Sequence, residues 1–250
     1  MTRNPILKVL FTFRKHRVKS LLIGGQACIV YGAAEFSRDS DFVVLCRPTN
    51  LSRLQLALRE LKAENIYVPP LGGEYLERGH ACHFRCQAAP VKGLRIDIMA
   101  RLRGCDHFAE LWKRRYRLRL PAGTSLDIIR LRDLVQSKKT QREKDWLMLS
   151  RLVENDIALN PNPGKERIRW WLCQGRIPDT LIGLASKYRV IARSCLRKRP
   201  LLKAALNNGA GLLSRLLDEE KSQEVAADIH YWQPLRKELE ELRHQRAVLL

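Results

Sequence analysis

The stretch that decides the fold lies near the N-terminus, where residues 20–45 read SLLIGGQACIVYGAAEFSRDSDFVVL. The apolar run Ser20–Ile23 ends at the pair Gly24-Gly25, which is typical of a short buried strand followed by a turn. The next residues, Gln26–Gly32, predict a helix, and Asp39–Leu45 predict a second strand. The pattern indicates a strand, a helix and a strand that share one core.

Two carboxylates begin the second of these strands. Asp39 and Asp41 are separated by one residue, and residues two apart in a strand project from the same face. Two such charges repel each other unless a cation lies between them, and a hard divalent cation with oxygen ligands, Mg²⁺ above all, meets that need. Because the rest of the strand is apolar, the two charges at its start predict a functional site.

A third carboxylate, Asp97, lies within the apolar stretch Leu94–Ala100, which predicts another strand. One inward carboxylate on a neighbouring strand would complete a cage of three for one or two Mg²⁺ ions. Such a cage can activate an attacking hydroxyl and neutralise leaving phosphates. The pair Gly24-Gly25 offers bare backbone and a helix N-terminus to triphosphate oxygens. We therefore expect a site for phosphate chemistry, with Asp39, Asp41 and Asp97 as metal ligands and catalytic residues.

The order of these elements resembles the signature of the DNA-polymerase-β-like nucleotidyltransferase superfamily, and most closely its minimal, AbiEii-type, toxin-related branch. The resemblance covers about residues 18–155 and implies a nucleotidyltransferase fold, with a small mixed sheet flanked by helices. In that branch a Ser or Thr often stands two residues before the first Asp, a place that Ser37 occupies here. Two residues depart from the pattern: Glu35 stands where many relatives have Arg, and Ser40 replaces an apolar residue.

The resemblance also implies a helix that carries basic residues toward the nucleotide. We expect one long helix over about Leu126–Glu154, in which polar side chains interrupt the apolar stripe and so face a cavity. Lys and Arg aimed at the carboxylates would hold triphosphate oxygens and stabilise transition-state charge. The expected catalytic residues are thus Asp39, Asp41, Asp97 and Lys138, and the expected nucleotide-binding residues are Gly24, Gly25, Ser37, Lys138, Arg142 and Asp145.

The rest of the chain predicts further elements of an α+β protein. We expect helices over residues 1–19 and Leu51–Ala63, a loop over Val68–Gly79, and a strand over Ala81–Gln87 with His83 and Arg85 on the face opposite Cys82, Phe84 and Cys86. The segment Asn160–Gly164 is the clearest breaker, and everything beyond it predicts helix. The sequence therefore predicts a nucleotidyltransferase-fold domain at 1–159 and an all-helical C-terminal domain at 160–250.

Composition narrows the environment and the partner. No apolar run approaches the roughly 20 residues that span a bilayer, and the seven scattered cysteines do not form a disulfide framework, so we expect a cytoplasmic protein with no membrane partner. The formal charge of +20 favours a polyanion, of which nucleic acid is the commonest. The basic runs Lys113–Arg119 and Arg189–Lys203 are the candidate contacts, and Trp170 and Trp171 could either stack on bases or belong to the core.

The function that these observations favour is transfer of a nucleoside monophosphate, with Mg²⁺, from a nucleoside triphosphate to RNA. As in toxins of the branch, the acceptor could be tRNA, and an antitoxin protein is a candidate partner. Two alternatives remain open: transfer to a protein or small molecule, and a catalytically silent nucleic-acid-binding module of the same fold. A pocket for cationic antibiotics is disfavoured by the net charge of +20.

Overall fold

The computed structural model describes residues 5–120 and 125–248, with side chains described up to residue 245. It divides the chain into two compact units. The first consists of the described parts of 1–137 and 230–250, and the second of residues 138–229. The domain boundary expected at residue 160 falls inside the second unit.

The first unit contains a mixed β-sheet, as the sequence predicts. The strands of the described residues are β1 (Ser20–Ile23), β2 (Asp39–Val44), β3 (Ala63–Asn65), β4 (Cys82–Cys86), β5 (Arg95–Met99), β6 (Tyr116–Arg119) and β7 (Ser125–Ile128). They lie in the order β3-β4-β5-β2-β1-β7-β6. The pairs β2–β5 and β1–β7 are parallel and the others are antiparallel. Strands β2 and β5 are therefore neighbours near the middle of the sheet.

Helices accompany the sheet within the first unit, which makes the fold α+β. They are α1 (Pro5–Lys15), α2 (Gly24–Val30), α3 (Pro48–Glu60), α4 (Gly73–Arg78), α5 (Phe108–Lys113) and α6 (Leu131–Ser137). Helix α1 packs its apolar face on the sheet, where the rings of Phe13 and Phe42 lie 4.8 Å apart. The helix expected over residues 1–19 is confirmed from Pro5 onward, and residues 1–4 lie outside the described residues.

Four predicted strands match the structure to within about a residue, namely β1, β2, β4 and β5. Four short elements were not predicted. Helix α4 lies within the stretch expected to be a loop, α5 and β3 are only 6 and 3 residues long, and β6 is a largely exposed, basic strand. Elements this short carry too few apolar residues to show a period.

The single long helix expected over Leu126–Glu154 is wrong. The segment instead forms β7, α6 and a separate helix α7 (Glu143–Leu159). In β7 the burial alternates residue by residue, as in a strand with one face toward the core. Between α6 and α7 the chain turns at Thr140, whose hydroxyl accepts a hydrogen bond from the backbone N–H of Arg142 and donates one to Asp145. These local bonds replace helical ones and so end the helix.

The second unit is helical, and the prediction of helices beyond residue 160 is confirmed for the described residues. After α7 follow α8 (Lys165–Gln174), α9 (Pro178–Lys187), α10 (Arg189–Cys195), α11 (Leu202–Leu206) and α12 (Ala210–Val248). The breaker Asn160–Gly164 separates α7 from α8. Trp171, Leu181 and Leu202 are among the fully buried side chains of this unit.

Residues 230–248 of α12 belong to the first unit. There, Glu238 accepts a hydrogen bond from the buried ring of His80 at 2.7 Å and pairs with Arg78 at 3.2 Å. None of the described helices combines the length and the apolar character that crossing a bilayer requires.

Candidate nucleotide-binding site

The three predicted carboxylates lie on the two adjacent parallel strands β2 and β5. Asp41 is the direct cross-strand partner of Asp97, and Asp39 is the partner of Arg95. Direct partners project from the same face, and neighbouring strands lie about 4.8 Å apart. The register therefore brings Asp39, Asp41 and Asp97 to one face of the sheet, while Phe42 fills the core on the other face.

The Gly-Gly pair lies against the same carboxylates. Gly24 has φ +64, and a β-carbon there would come within 1.8 Å of Oδ2 of Asp41. A β-carbon on Gly25 would come within 2.4 Å of the hydroxyl oxygen of Ser37. Both positions thus require glycine, because the side chains of Asp41 and Ser37 occupy the space next to the backbone.

The loop before β2 is held by two further hydrogen bonds. The Ser37 hydroxyl donates to the backbone carbonyl of Asp39 at 3.1 Å, and the side-chain amide of Gln26 donates to the carbonyl of Ser37 at 3.0 Å. These bonds tie the N-terminal turn of α2 to the start of β2. The structure therefore places Gly24, Gly25 and Ser37 beside the start of β2, and Asp39, Asp41 and Asp97 on one face of the adjacent strands β2 and β5.

Asp97 is bound by two neighbouring side chains. Oδ1 of Asp97 lies 2.8 Å from Nε of Arg95 and 2.8 Å from Nδ1 of His83. Burial alone would raise the pKa of Asp97, but the hydrogen bonds from His83 and Arg95 outweigh it, and the pKa lies below its ordinary value. Asp97 is consequently ionised at neutral pH although it is almost buried.

Arg95 links this carboxylate to the rest of the site. Burial alone would lower the pKa of Arg95, but the hydrogen bond and the charge of Asp97, with the charge of Asp39, raise it above its ordinary value. The Arg95 guanidinium also lies 5.8 Å from the centre of the Tyr67 ring, and that ring meets His83 edge-on at 5.8 Å. Tyr67 is half exposed, at 49%, so an aromatic surface borders Asp97.

Sequence reasoning did not assign Arg95, His83 or Tyr67 to the site. The position of Arg95 could have been predicted, since it precedes Asp97 by two residues in the same strand and must share its face. His83 was expected on the polar face of its strand. Its contact with Asp97, however, depends on the antiparallel register of β4 and β5.

Lys138, Arg142 and Asp145 form a cluster of their own in the second unit, whereas the three carboxylates and the glycine pair belong to the first. Lys138 Nζ lies 2.9 Å from Oδ1 of Asp145. Arg142 and Thr140 bind the other oxygen, Oδ2, at 2.9 and 2.8 Å. Burial would raise the pKa of Asp145, but the charges of Lys138 and Arg142 hold it below its ordinary value. Asp145 thus orients both cations.

The residues present fit a magnesium ion through oxygen ligands. Within the described ranges, no three or more His, Cys, Asp and Glu side chains gather in an arrangement that could hold a metal by themselves. Protein sites for Mg²⁺, however, commonly use one or two carboxylates together with substrate phosphates. Asp39 and Asp41, two residues apart on one face of β2, suit that arrangement.

Ser40 lies between the two carboxylates but on the opposite face. It is fully buried, and its hydroxyl has no hydrogen-bond partner among the residues that the structure describes. An unpaired buried hydroxyl costs about 1–3 kcal/mol. Ser40 therefore weakens the core and does not touch the carboxylates.

Comparison of the chain with protein-family models and with curated proteins finds no match.

Proposed function

We propose that this chain is a magnesium-dependent nucleotidyltransferase with the nucleotidyltransferase fold. It transfers a nucleoside monophosphate from a nucleoside triphosphate to an acceptor, and the acceptor is RNA. The observation that carries the proposal is the packing of Asp41 against Gly24 together with its direct pairing to Asp97 on the next strand. This arrangement places the start of α2 beside carboxylates on two adjacent strands.

Each group of this candidate site has a role that follows from its chemistry. Asp39 and Asp41 would hold Mg²⁺ together with substrate phosphates. The expected cage of three carboxylates is not found among the described residues, so Asp97, whose Oδ1 is bound by His83 and Arg95, would add negative charge beside the ion. When bound, the ion supplies positive charge to the triphosphate and lowers the pKa of the attacking hydroxyl. Arg95 and His83 keep Asp97 ionised and fix its orientation.

The glycine pair would receive the phosphates. The backbone N–H groups at the start of α2 would bind the phosphate oxygens, while the side chains of Asp41 and Ser37 fill the space that β-carbons at Gly24 and Gly25 would occupy. The Ser37 hydroxyl lies beside Gly25, and it would donate its single proton to a phosphate oxygen by exchanging its hydrogen bond to the Asp39 carbonyl. Lys138 and Arg142, which Asp145 orients within the second unit, are proposed as phosphate-binding cations on the resemblance alone.

The partners follow from charge. The net charge of +20 supports a polyanionic acceptor, with tRNA as one candidate. An antitoxin protein is proposed as a further partner, on the resemblance to the toxin-related branch alone.

The proposal is tested with purified protein, Mg²⁺, total RNA and each of the four radiolabelled nucleoside triphosphates. We expect label to enter RNA and pyrophosphate to be released. Asp39→Asn should abolish both without unfolding the protein, because it removes one of several like charges. Asp218→Asn, which changes an exposed carboxylate, is the matched control and should retain activity. Pyrophosphate release that Asp39→Asn leaves intact would refute the assignment.

The engagement of Asp97 by Arg95 and His83 favours a second candidate, a silent nucleic-acid-binding module of the same fold. A cation paired with the third carboxylate can substitute for a metal electrostatically. RNA binding without release of pyrophosphate from any nucleoside triphosphate would support this second function. Label in protein or in a small molecule instead of RNA would identify a different acceptor.

A further inference from the structure

The second unit contains a long segment without acidic residues. From residue 180 to residue 217 the sequence has no Asp or Glu and eight basic residues. In an ordinary solvated surface, charges of both signs are interspersed. The segment is therefore a candidate for binding an anion from outside the chain.

Helix α10 shows how this segment distributes its charge. Arg189 and Arg193 are exposed, whereas Ala192 and Cys195 are buried. Arg189 and Arg193 are four residues apart, so they lie on one face about 6 Å apart along the axis. Like charges at this spacing destabilise a helix by about 0.2–0.5 kcal/mol. An unpaired basic face of this kind is stabilised by an external polyanion.

Further exposed cations lie in the segments directly before and after α10. We call the whole set the α10 surface, and it consists of the exposed residues Lys187, Arg189, Arg193, Arg197, Lys198 and Lys203. Every residue of the second unit is described, and none of these six side chains forms an ion pair there. The α10 surface therefore keeps its full positive charge.

Arg199 has a different role, although it lies within the same basic run. It is buried and donates hydrogen bonds to Glu220 and to the backbone carbonyls of Leu172 and Gly175. Its donors are satisfied within the unit, so it supports the structure of the α10 surface.

The other basic run, Lys113–Arg119, is largely neutralised by acids of its own unit. Arg114 makes two hydrogen bonds to Asp133, at 2.8 and 2.7 Å, and one to Asp106 at 2.6 Å. Arg115 and Arg117 both bind Asp127, at 2.6 and 3.1 Å. Since these cations already have anionic partners, they are poorer contacts for phosphates than the α10 surface is.

Two aromatic residues of the second unit differ in exposure. Trp171 is buried, and its indole donates to Asp156 at 2.8 Å, so it belongs to the core. Tyr188 precedes α10 and is partly exposed, with the Lys187 ammonium 5.3 Å from its ring centre. It can therefore present an aromatic face beside the cations, as proteins that bind single-stranded nucleic acids do.

We propose that the α10 surface binds the phosphate backbone of RNA. The choice of RNA rests on the proposed function, in which the acceptor is RNA. The binding itself follows from six exposed cations that have no carboxylate partner among the residues that the structure describes. Two observations distinguish these cations from an ordinary solvated surface. Residues 180–217 contain no Asp or Glu, and Arg189 and Arg193 lie at helical spacing on one face of α10.

The test compares two triple variants of the full chain. Arg189→Gln, Arg193→Gln and Arg197→Gln together remove three charges from the α10 surface. The control triple, Lys92→Gln, Arg151→Gln and Lys165→Gln, removes three exposed charges elsewhere. Gln has a helix propensity similar to that of Arg, so we expect both variants to fold, and circular dichroism melting checks this.

Binding of fluorescent single-stranded RNA is measured by anisotropy at several salt concentrations. We expect the α10 triple to weaken binding at least tenfold and to reduce the slope of log K against log salt by about 2, since each phosphate contact contributes about 0.7 for single strands. The control triple should leave the slope within about 0.5 of the wild type. Equal effects of the two triples would overturn the proposal.

Further measurements distinguish RNA from other anionic ligands, and failure of this proposal from failure of the proposed function. Duplex DNA of equal length, or vesicles containing phosphatidylserine, binding more tightly than RNA would overturn the assignment to RNA. Pyrophosphate release from nucleoside triphosphate is measured separately. RNA binding that depends on the α10 surface without pyrophosphate release would leave this proposal intact and refute the proposed transferase. Pyrophosphate release with no RNA binding would do the reverse.

Discussion

Oδ2 of Asp41 lies only 1.8 Å from the point that a β-carbon on Gly24 would occupy. Because Gly24 also has φ +64, Gly24→Ala must both strain the backbone and displace the carboxylate. We expect the variant to lose nucleoside triphosphate consumption by at least 100-fold and to lose about 1–2 kcal/mol of unfolding free energy from the left-handed backbone. Pyrophosphate release and urea denaturation measure the two effects.

The matched control is Gly93→Ala. Gly93 has φ +85, and a β-carbon there meets nothing within 4 Å, so only the backbone strain remains. We expect a similar loss of stability with activity retained. Equal activity of the two variants would show that the position of Asp41 does not matter to the reaction.

Arg95→Gln should produce a pH-dependent loss of stability. In the wild type the pKa of Asp97 is held below its ordinary value of 3.8. Its ionised form therefore stabilises the fold above that pH, and this contribution is lost as the pH falls through the folded pKa. Without Arg95, burial acts against fewer hydrogen bonds and the pKa of Asp97 rises. We expect a loss of about 1–3 kcal/mol at pH 7 that shrinks as the pH falls below 4.

Melting curves of both proteins from pH 3 to pH 8 measure this difference. Arg85→Gln is the control, because Arg85 is exposed and lies directly across from Arg95 on the neighbouring strand. Removing it relieves a like-charge contact and should not lower stability. A gap between Arg95→Gln and wild type that is constant across the pH range would contradict the assigned role of Arg95.

Lys138→Met should destabilise the second unit more than Arg142→Gln does. Both cations bind Asp145, but the Lys138 side chain is only 6% exposed and that of Arg142 is 60% exposed. We expect Lys138→Met to lower the unfolding free energy by at most about 3 kcal/mol, because it leaves the buried Asp145 carboxylate with only Arg142 and Thr140 as partners. We expect Arg142→Gln to lower it by at most about 1 kcal/mol, because it removes an exposed ion pair. Chemical denaturation ranks the two variants.

Lys138→Met also tests whether Lys138 binds the nucleotide. We expect Lys138→Met to weaken nucleoside triphosphate binding, measured by titration calorimetry under conditions in which the variant remains folded. Unchanged affinity would reduce Lys138 to a structural residue.

Ser40→Ala should stabilise the protein. The Ser40 hydroxyl is buried without a partner among the described residues, so its removal should raise the unfolding free energy by about 1 kcal/mol and leave transfer unchanged. Ser37→Ala is the paired comparison, since the Ser37 hydroxyl donates to the carbonyl of Asp39. We expect it to lower both stability and activity. A destabilised Ser40→Ala protein would mean that the hydroxyl is satisfied.

The local part of the site could be predicted from the sequence. The alternation of side chains along a strand places Asp39 with Asp41, and Arg95 with Asp97, whatever surrounds them. The apolar run before Gly24 likewise predicts β1. Local periodicity is a property of consecutive residues, so it is visible before the chain folds.

The contacts between distant segments depended on the tertiary structure. The pairing of Asp41 with Asp97 and the contact of His83 with Asp97 follow from strand register, which is set by packing across the sheet. The break between α6 and α7 was missed because the hydrogen bonds of Thr140 compete with a helix that the apolar spacing alone predicts.

Charge shows the same division. The sequence by itself determined that residues 180–217 contain no Asp or Glu, so the cations of this segment have no acidic neighbour along the chain. That Lys113–Arg119 is neutralised could not be predicted, since Asp127 and Asp133 reach Arg115 and Arg114 only when α6 and β7 have folded beside them. Composition and periodicity are local to the chain, whereas an ion pair exists only when folding brings its two charges within a few ångströms.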